Sequence, residues 1–489
     1  MGLSSGASTS RVDRIAGRLR RAGIRIGTAT LVRSLKIAAS TGFLLIASGC
    51  ATLPDTQFLT QDYRTKAARF ESAWGPLSAR RSAAIVTELK RTSGDLDILD
   101  RQIALEQDIG GSLVVGNKVT LLQDGPATYR AMFAAIGRAK HHINVESYIF
   151  EDDEIGRQFA DLLLDRQANG VQVNVIYDSV GAFATPKTFF DRLTQAGVQV
   201  LEFNPVNPLA LKKPWSLTHR DHRKLLVVDS ETAFIGGINI SSVYSSGSSI
   251  GGSGGPVDPT TGWRDTDIQL EGPVVGEFER LFIQTWDKQK GKPLARKDPA
   301  AVVQPQGKDI VRAIGSTPDD PYSLIYLTLI SAITNAQKQV YITNAYFVPD
   351  PQLVKALLDA AGRGVDVRLI LPSQSDSAPA YYAGRSHYSE LLEAGVKIYE
   401  RRGSLLHVKT AIVDGVWSCV GSSNLDWRSA LDNDEINAVI VGREFAQQMQ
   451  AAYARDIAAS DAIDIESWSR RPILLRLKEL TSRLWGQLL

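Results

Sequence analysis

His222-Arg-Lys-Leu-Leu-Val-Val-Asp229 and His407-Val-Lys-Thr-Ala-Ile-Val-Asp414 share one pattern: a histidine, a lysine two residues on, and an aspartate five residues beyond the lysine. With six histidines, 55 basic and 53 acidic residues in a chain of 489, about 0.07 such matches arise by chance, so two of them mark a repeated unit. The residues after each lysine are apolar and β-branched, which predicts a strand. Positions i and i+2 of a strand share a face, so imidazole and ammonium stand side by side on one phosphate-sized target. Asp229 and Asp414 have the opposite parity or lie beyond the strand end. They read as mainly structural, although membership of the motif would count them among the catalytic residues.

The repetition extends in both directions. Ile143 to Phe150 resembles Val340 to Phe347, with Tyr148 and Tyr346 198 residues apart, and Ala196-Gly197-Val198 resembles Ala394-Gly395-Val396 at the same step. From the histidines onward the step becomes 185, and it also relates Gly236 to Gly421 and Asn239 to Asn424. The first copy therefore holds an insertion before His222, within Asn204 to Asp221, and a further one after Asn239, in the Ser/Gly-rich Ser241 to Gly255. In each copy a helix-period segment (Ile155 to Gln167; Pro351 to Ala361) precedes a strand-like run (Val171 to Tyr177; Val365 to Leu371). The chain reads as α/β, a tandem duplication whose halves are each a mixed sheet covered by helices. The expected divisions are 1–49 as a leader, 50–110 as a helical N-terminal extension, 111–290 and 309–460 as the two halves, and 461–489 as an amphipathic tail.

Composition narrows the function. Hydrophobic residues at 44% and charged residues at 22% suit a globular chain with a sizeable core, which excludes global disorder. A net charge of +2 gives no sign of a dedicated nucleic-acid binder. At the N-terminus, eight basic side chains and one acid precede the apolar run Ile37 to Ala47, then Ser48-Gly49-Cys50. Charged, apolar and small-residue regions in that order make a secretory signal, and the cysteine looks like the lipidation site of a bacterial lipoprotein. Ala51 rather than Asp after it weakly favours the outer membrane. If Cys50 is acylated, Cys419 is the remaining thiol and no internal disulfide forms.

These paired motifs resemble the phospholipase D superfamily. The resemblance covers roughly residues 110 to 489 and includes Gly236-Gly237-x-Asn239, Gly421-Ser-Ser-Asn424, Trp263-Arg264-Asp265, Asn433-Asp-Glu435-Ile-Asn437 and Tyr346-Phe-Val-Pro349. The last three look closest to the bacterial cardiolipin-synthase branch. The resemblance implies two α/β/α halves sharing one active site at their interface. It also implies that His222 is the nucleophile and His407 the acid/base, and that an acid at the counterpart positions Asp265 and Glu435 orients a histidine.

The residues support a chemistry of their own. An imidazole attacks a phosphodiester as a neutral nucleophile while a second imidazole protonates the departing alkoxide. Lys224 and Lys409, with the amides of Asn239 and Asn424, hold the non-bridging oxygens, so the scheme requires no cofactor and no metal. The plain alternative for Asp265 and Glu435 is that of ordinary acids on a sheet surface. His219, three before His222, reads as a loop residue; His141, His142 and His387 read as structural or surface histidines. Tyr148 and Tyr346 read as core tyrosines, although strand ends facing the site is the other reading. Arg264 and Arg428 either assist phosphate binding or brace the acids.

Ile473, Leu477, Leu480, Leu484 and Leu488 form a helical stripe interleaved with Arg476, Lys478 and Arg483 and joined by Trp485, suited either to an anionic membrane surface or to packing on the protein. Pro208 to Trp215, with Leu209 and Leu211, reads as a lipid-entry lip beside the first motif or as a covered loop. With Gly247 to Gly255 it is the expected cover that keeps water from an intermediate.

Together these features predict a phosphatidyltransferase that makes cardiolipin from phosphatidylglycerol and a second phospholipid through a phosphohistidine. Hydrolysis to phosphatidic acid by the same first half-reaction is the alternative. A nuclease or phosphodiesterase and a non-catalytic envelope protein rank below. The expected partners are phospholipids and a membrane surface, without nucleic acid.

Overall fold

Strong alternation and β-branched runs in both copies build one continuous sheet. A computed structural model describes residue 53 and residues 67–206, 218–246, 262–294 and 303–486. Residues 1–49, Cys50, the segment Pro208 to Trp215, the loop Gly247 to Gly255 and Leu488 lie outside the described residues. The described residues all fall in one compact unit, Leu53–Leu489.

In the first half the strands are β1 (Leu113–Gln123), β2 (His142–Ser147), β3 (Gln172–Asp178), β4 (Gln199–Phe203), β5 (Lys224–Val228), β6 (Thr232–Gly236) and β7 (Thr266–Glu271). Their order is β4-β3-β2-β5-β6-β7-β1, parallel across β2, β3 and β4 and antiparallel elsewhere. The second half repeats it with β8 (Asp309–Ser316), β9 (Gln339–Asn344), β10 (Asp366–Pro372), β11 (Lys397–Arg401), β12 (Lys409–Val413), β13 (Trp417–Gly421) and β14 (Asn433–Val441), in the order β11-β10-β9-β12-β13-β14-β8. Strands β1 and β8 pair antiparallel and join the two sheets. The parallel pairs need crossovers, and helices Glu154–Ala168 and Pro351–Gly362 supply them where the helical spacing predicts. Asp153 and Asp350 cap their first turns.

Residues before β1 pack mainly on the second half, although the strand Phe70–Ser72 pairs in parallel with β1. Leu96, Ile98, Leu99, Ile103 and Leu105 are buried with Leu327, Ile330 and Ile333 of helix Leu324–Thr334. Glu106 accepts the indole N–H of Trp417 at 2.9 Å and lies 3.5 Å from the Arg312 guanidinium.

Two short contacts set the site. The two-residue strand Arg220–Asp221, which leads into His222, pairs with Asn433 and Asp434 at the start of β14 in the other half. Leu406, which leads into His407, bridges Arg264, just before β7. Each histidine is thereby delivered to the opposite half.

Candidate active site

Extended backbone alternates faces, and the first motif follows that rule. His222 and Lys224 share one side, while Arg223 between them points the other way, where it is buried and donates to Thr285 Oγ1 at 2.6 Å and to the Glu435 carbonyl at 3.1 Å. Val408 occupies the equivalent buried place in the second motif. Each lysine folds back on its motif: Lys224 Nζ donates to the His222 carbonyl at 2.5 Å, and Lys409 Nζ donates to that of His407.

Both imidazoles open on one cavity of about 320 Å³, which Tyr148, Asn239, Trp263, Tyr346, Asn424 and Arg428 also line. His222 Nδ1 lies 3.0 Å from Glu435 Oε1, and His407 Nδ1 lies 2.7 Å from Asp265 Oδ2. The pairs are crossed, because the His222 amide donates to the Asp434 carbonyl at 2.9 Å and the His407 amide to the Arg264 carbonyl at 2.8 Å. Each backbone bond sets the histidine beside the residue immediately before the opposite half's carboxylate. A carboxylate can only accept here, so the hydrogen of each neutral ring resides on Nδ1 and the lone pair on Nε2.

Burial and neighbouring charge fix the protonation states. Burial pushes His222 down to about 4; Glu435 pulls against this and Lys224 adds to it. Burial, then Lys409, pushes His407 down to about 4 against the pull of Asp265. Glu435 is itself raised by burial, but His222, Lys224 and the Ser422 hydroxyl outweigh that and hold it at about 2. The first pair is thus a carboxylate beside a neutral imidazole. Burial pushes Lys224 down to about 7 and Lys409 to about 8, with nearby carboxylates opposing the change.

The aromatic residues pack around these groups. Tyr148 meets the His222 ring edge-on at 5.1 Å between centroids, and Lys224 Nζ lies 5.3 Å from the Tyr148 ring centre. Tyr346 sits 6.2 Å from the His407 ring and 6.0 Å from Lys409 Nζ. The core reading of these two tyrosines is therefore corrected: each is half-buried at the end of its strand and faces the cavity.

Asp229 and Asp414 are corrected as catalytic groups. Asp229 accepts the amides of Lys140, His141 and His142 at 2.8 to 2.9 Å, and Asp414 accepts those of Gln337, Lys338 and Gln339. Both sit past the far strand ends with φ of 56° and 53°, at turns where Asp tolerates the left-handed region. Their carboxylates brace the chain entering β2 and β9, and neither lines the cavity.

The asparagines differ between halves. Asn239 is committed at both ends, accepting the Ile149 amide at 3.1 Å and donating to Tyr244 Oη at 3.0 Å. The Asn424 amide oxygen is buried and without a hydrogen-bond partner among the described residues. Arg264 turns away to a two-pronged ion pair with Asp456 at 2.8 and 2.9 Å, which leaves Arg428 as the arginine of the two that faces the cavity. His219 pairs with Asp434, His142 with Glu279 and His387 with Glu390, and these three histidines do not line the cavity. Sequence reasoning missed Tyr244, Ser422 and Ser429 around the imidazoles and quoted Trp263 within a motif without giving it a role there. Ser422 stands inside the quoted Gly421-Ser-Ser-Asn424, but nothing in the pattern marks its hydroxyl as a donor to a carboxylate. Gly236 and Gly421 are required by close approach, since a Cβ there would lie 1.9 Å from Asp267 Oδ1 and 2.1 Å from Asn437 Oδ1.

Comparison with known proteins agrees on family and fold. The family described as "Cardiolipin synthase, PLD-like domain" matches residues 132–246 and 329–457. A cardiolipin synthase of Geobacillus sp. (strain WCH70) is 34% identical over 390 residues, 79% of this chain and 76% of that protein. The major cardiolipin synthase ClsA of Bacillus subtilis (strain 168) is 33% identical over 378 residues, 76% of each chain. The crystal structure of a phosphatidylserine synthase of Haemophilus influenzae Rd KW20 superposes with a TM-score of 0.61 at 13% identity, over 83% of this chain and all of that one, and so shares the fold.

Proposed function

Because the chain belongs to the cardiolipin synthase, PLD-like domain family, we propose that it is a phosphatidyltransferase. It carries the phosphatidyl group of one phospholipid on a histidine and passes it to a hydroxyl of phosphatidylglycerol, giving cardiolipin. The crossed imidazole–carboxylate pairs on one cavity carry this reading, because they supply two rings, each with its Nδ1–H held and its Nε2 free.

The donor phosphodiester enters between the rings. Its negative charge favours the imidazolium, so substrate binding offsets the downward push of burial and protonates His407. His222 Nε2 attacks phosphorus, the bond from phosphorus to the headgroup oxygen breaks, and His407 gives that oxygen its proton. His407, now neutral, takes the proton of the acceptor hydroxyl as its oxygen attacks phosphorus and the P–N bond breaks. Lys224, Lys409 and the Asn424 amide N–H groups hold the non-bridging oxygens throughout, joined by the one N–H of Asn239 that Tyr244 does not take.

Purified protein supplied with labelled phosphatidylglycerol, with and without phosphatidylethanolamine, should form labelled cardiolipin, and EDTA should leave the rate unchanged. Phosphatidic acid as the lone product would move the assignment to hydrolysis. Loss of activity on chelation, restored by a divalent ion, would overturn the two-histidine scheme.

The same reading extends to location. No helix among the described residues is long and apolar enough to cross a membrane. The basic N-terminus, the short apolar run and Ala47-Ser48-Gly49 support acylation of Cys50 and a periplasm-facing envelope lipoprotein, with the outer membrane favoured. Fractionation of a Cys50→Ser strain should show a loosened attachment to membranes with the catalytic unit unimpaired, the C-terminal helix being left as the weaker anchor.

A further inference from the structure

The C-terminal helix Ile473–Arg483 packs the wrong way round for a helix on a soluble surface. Its protein-facing side carries Glu479, 2% exposed, which accepts from the Arg471 guanidinium at 2.8 and 2.9 Å. Its outward side carries Ile473 (78% exposed), Leu477 (53%), Leu480 (58%) and, one residue past the helix, Leu484 (78%). These four are spaced i, i+4, i+7 and i+11, a single stripe. Exposed Arg476, which donates to the Ser469 carbonyl, and Arg483, 3.7 Å from Glu390, lie along one edge of the stripe, while Lys478 points to the side that meets Tyr382.

The helix is also placed beside the cavity. It packs on helix Ala378–Arg385, with Lys478 Nζ 5.4 Å from the Tyr382 ring centre, and Ala380 of that helix lines the cavity wall. The connection after β3 lies against Tyr148, another residue of the cavity wall, so closely that a Cβ on Gly181 would meet the Tyr148 carbonyl at 2.1 Å. That connection exposes Phe183 (83%). Exposed apolar side chains thus stand on two elements that each contact a residue of the cavity wall, and arginines border the stripe on the C-terminal helix.

We propose that the outward face of the C-terminal helix, together with Phe183, docks on an anionic phospholipid surface and brings the cavity mouth down to the lipids it uses. A bilayer fits both features, because its acyl region takes the leucines and its anionic headgroups take Arg476 and Arg483. A second protein chain would have to supply an apolar groove and an acidic border together. The inference rests on the phospholipid-substrate reading above, but its test separates the two.

The test uses the full-length chain carrying Cys50→Ser in every arm, so that no acyl group at that position contributes to binding. Cosedimentation with phosphatidylglycerol/phosphatidylethanolamine vesicles should weaken by about tenfold or more in the triple variant Leu477→Ser, Leu480→Ser, Leu484→Ser, and vesicle turnover should fall with it. Arg476→Gln with Arg483→Gln should remove the dependence of binding on the phosphatidylglycerol fraction. Turnover of a short-chain phosphatidylglycerol kept below its micelle concentration should stay within about twofold, because the leucines lie outside the cavity. Unchanged vesicle binding in the triple variant would overturn the proposal. Equal loss on monomeric substrate would overturn it too, by assigning the face to folding or to the site, as would a wild-type dimer that the variant dissociates. A wild type that binds vesicles through this face yet makes no cardiolipin would count against the functional reading alone.

Discussion

His222 and His407 occupy equivalent positions in two halves of the same topology, yet their surroundings differ. The His222 partner, Glu435, is held by the Ser422 hydroxyl and by that of Ser429 at 2.7 Å. The His407 partner, Asp265, takes the Thr266 amide at 2.8 Å and presses against Gly237, where a Cβ would fall 2.3 Å from its carboxylate. Gly237 is the counterpart of Ser422. The longer acid reaches a hydroxyl and the shorter one needs bare backbone, so each half solves the same problem with a matched pair. His407 is also walled by Trp263 at 5.4 Å and Tyr244 at 5.8 Å, while His222 has Tyr148. Duplication set the frame, and later divergence gave the two imidazoles different surroundings.

The largest expected effect tests whether their tasks differ as well. His222→Ala and His407→Ala should each lower turnover of natural lipid at least about a thousandfold. A donor with a p-nitrophenolate leaving group needs no general acid, so it should recover formation of the labelled phospho-adduct in His407→Ala but not in His222→Ala. Recovery in the opposite variant would exchange the two roles, and recovery in both would make the rings interchangeable.

Next in size are the orienting acids. Glu435→Gln should cost on the order of 10²-fold in kcat, because an amide can present N–H to Nδ1 and stabilise the wrong tautomer. Asp265→Asn should cost as much if the crossed pairs are equal in weight. A smaller loss for Asp265→Asn would show that the nucleophile's tautomer matters more than that of the acid.

The lysines should separate the halves by pH. Burial holds them at about 7 and 8 in the free protein, so both cations are lost as pH rises through that range instead of near the ordinary lysine value. Since kcat/KM reports the free enzyme, it should fall about fiftyfold between pH 8 and pH 9 where both cations are needed, and about five- to tenfold where one lysine carries the dependence. Arginine stays charged there, so whichever of Lys224→Arg and Lys409→Arg flattens that fall identifies the lysine that carries it. A wild-type profile level to pH 10 would break the assignment of either.

Much of this was legible in the sequence because it was written twice. Two copies of one motif, with matched spacings around them, specified a duplicated α/β fold and brought His222, Lys224, His407 and Lys409 under suspicion together. The counterpart relation of Asp265 and Glu435 followed from their common distance to Gly272 and Gly442. The crossing was not legible, because it depends on a two-residue strand, Arg220–Asp221, that pairs with the other half over a separation in sequence of more than 200 residues. Periodicity reports which face a residue takes, not which half it will meet. Tyr148 and Tyr346 misled for a related reason: they end buried strands, and burial along β2 and β9 hides the point where each strand emerges at the cavity.

The smallest effect probes the one place where the halves do remain equivalent. Asp229 and Asp414 each hold three amides at a strand entry, with the same left-handed turn and the same geometry. Replacing either by Ala removes an ionised acceptor and strands those amides at a half-covered position, which should cost about 2 kcal/mol of unfolding free energy. The losses should match between Asp229→Ala and Asp414→Ala within error, and the turnover of the folded fraction should hold near wild type, since neither carboxylate lines the cavity. Urea titration read beside kcat decides the matter. A collapse of kcat with stability intact would return these aspartates to the chemistry, whereas unequal losses of stability would show that divergence had reached even the braces.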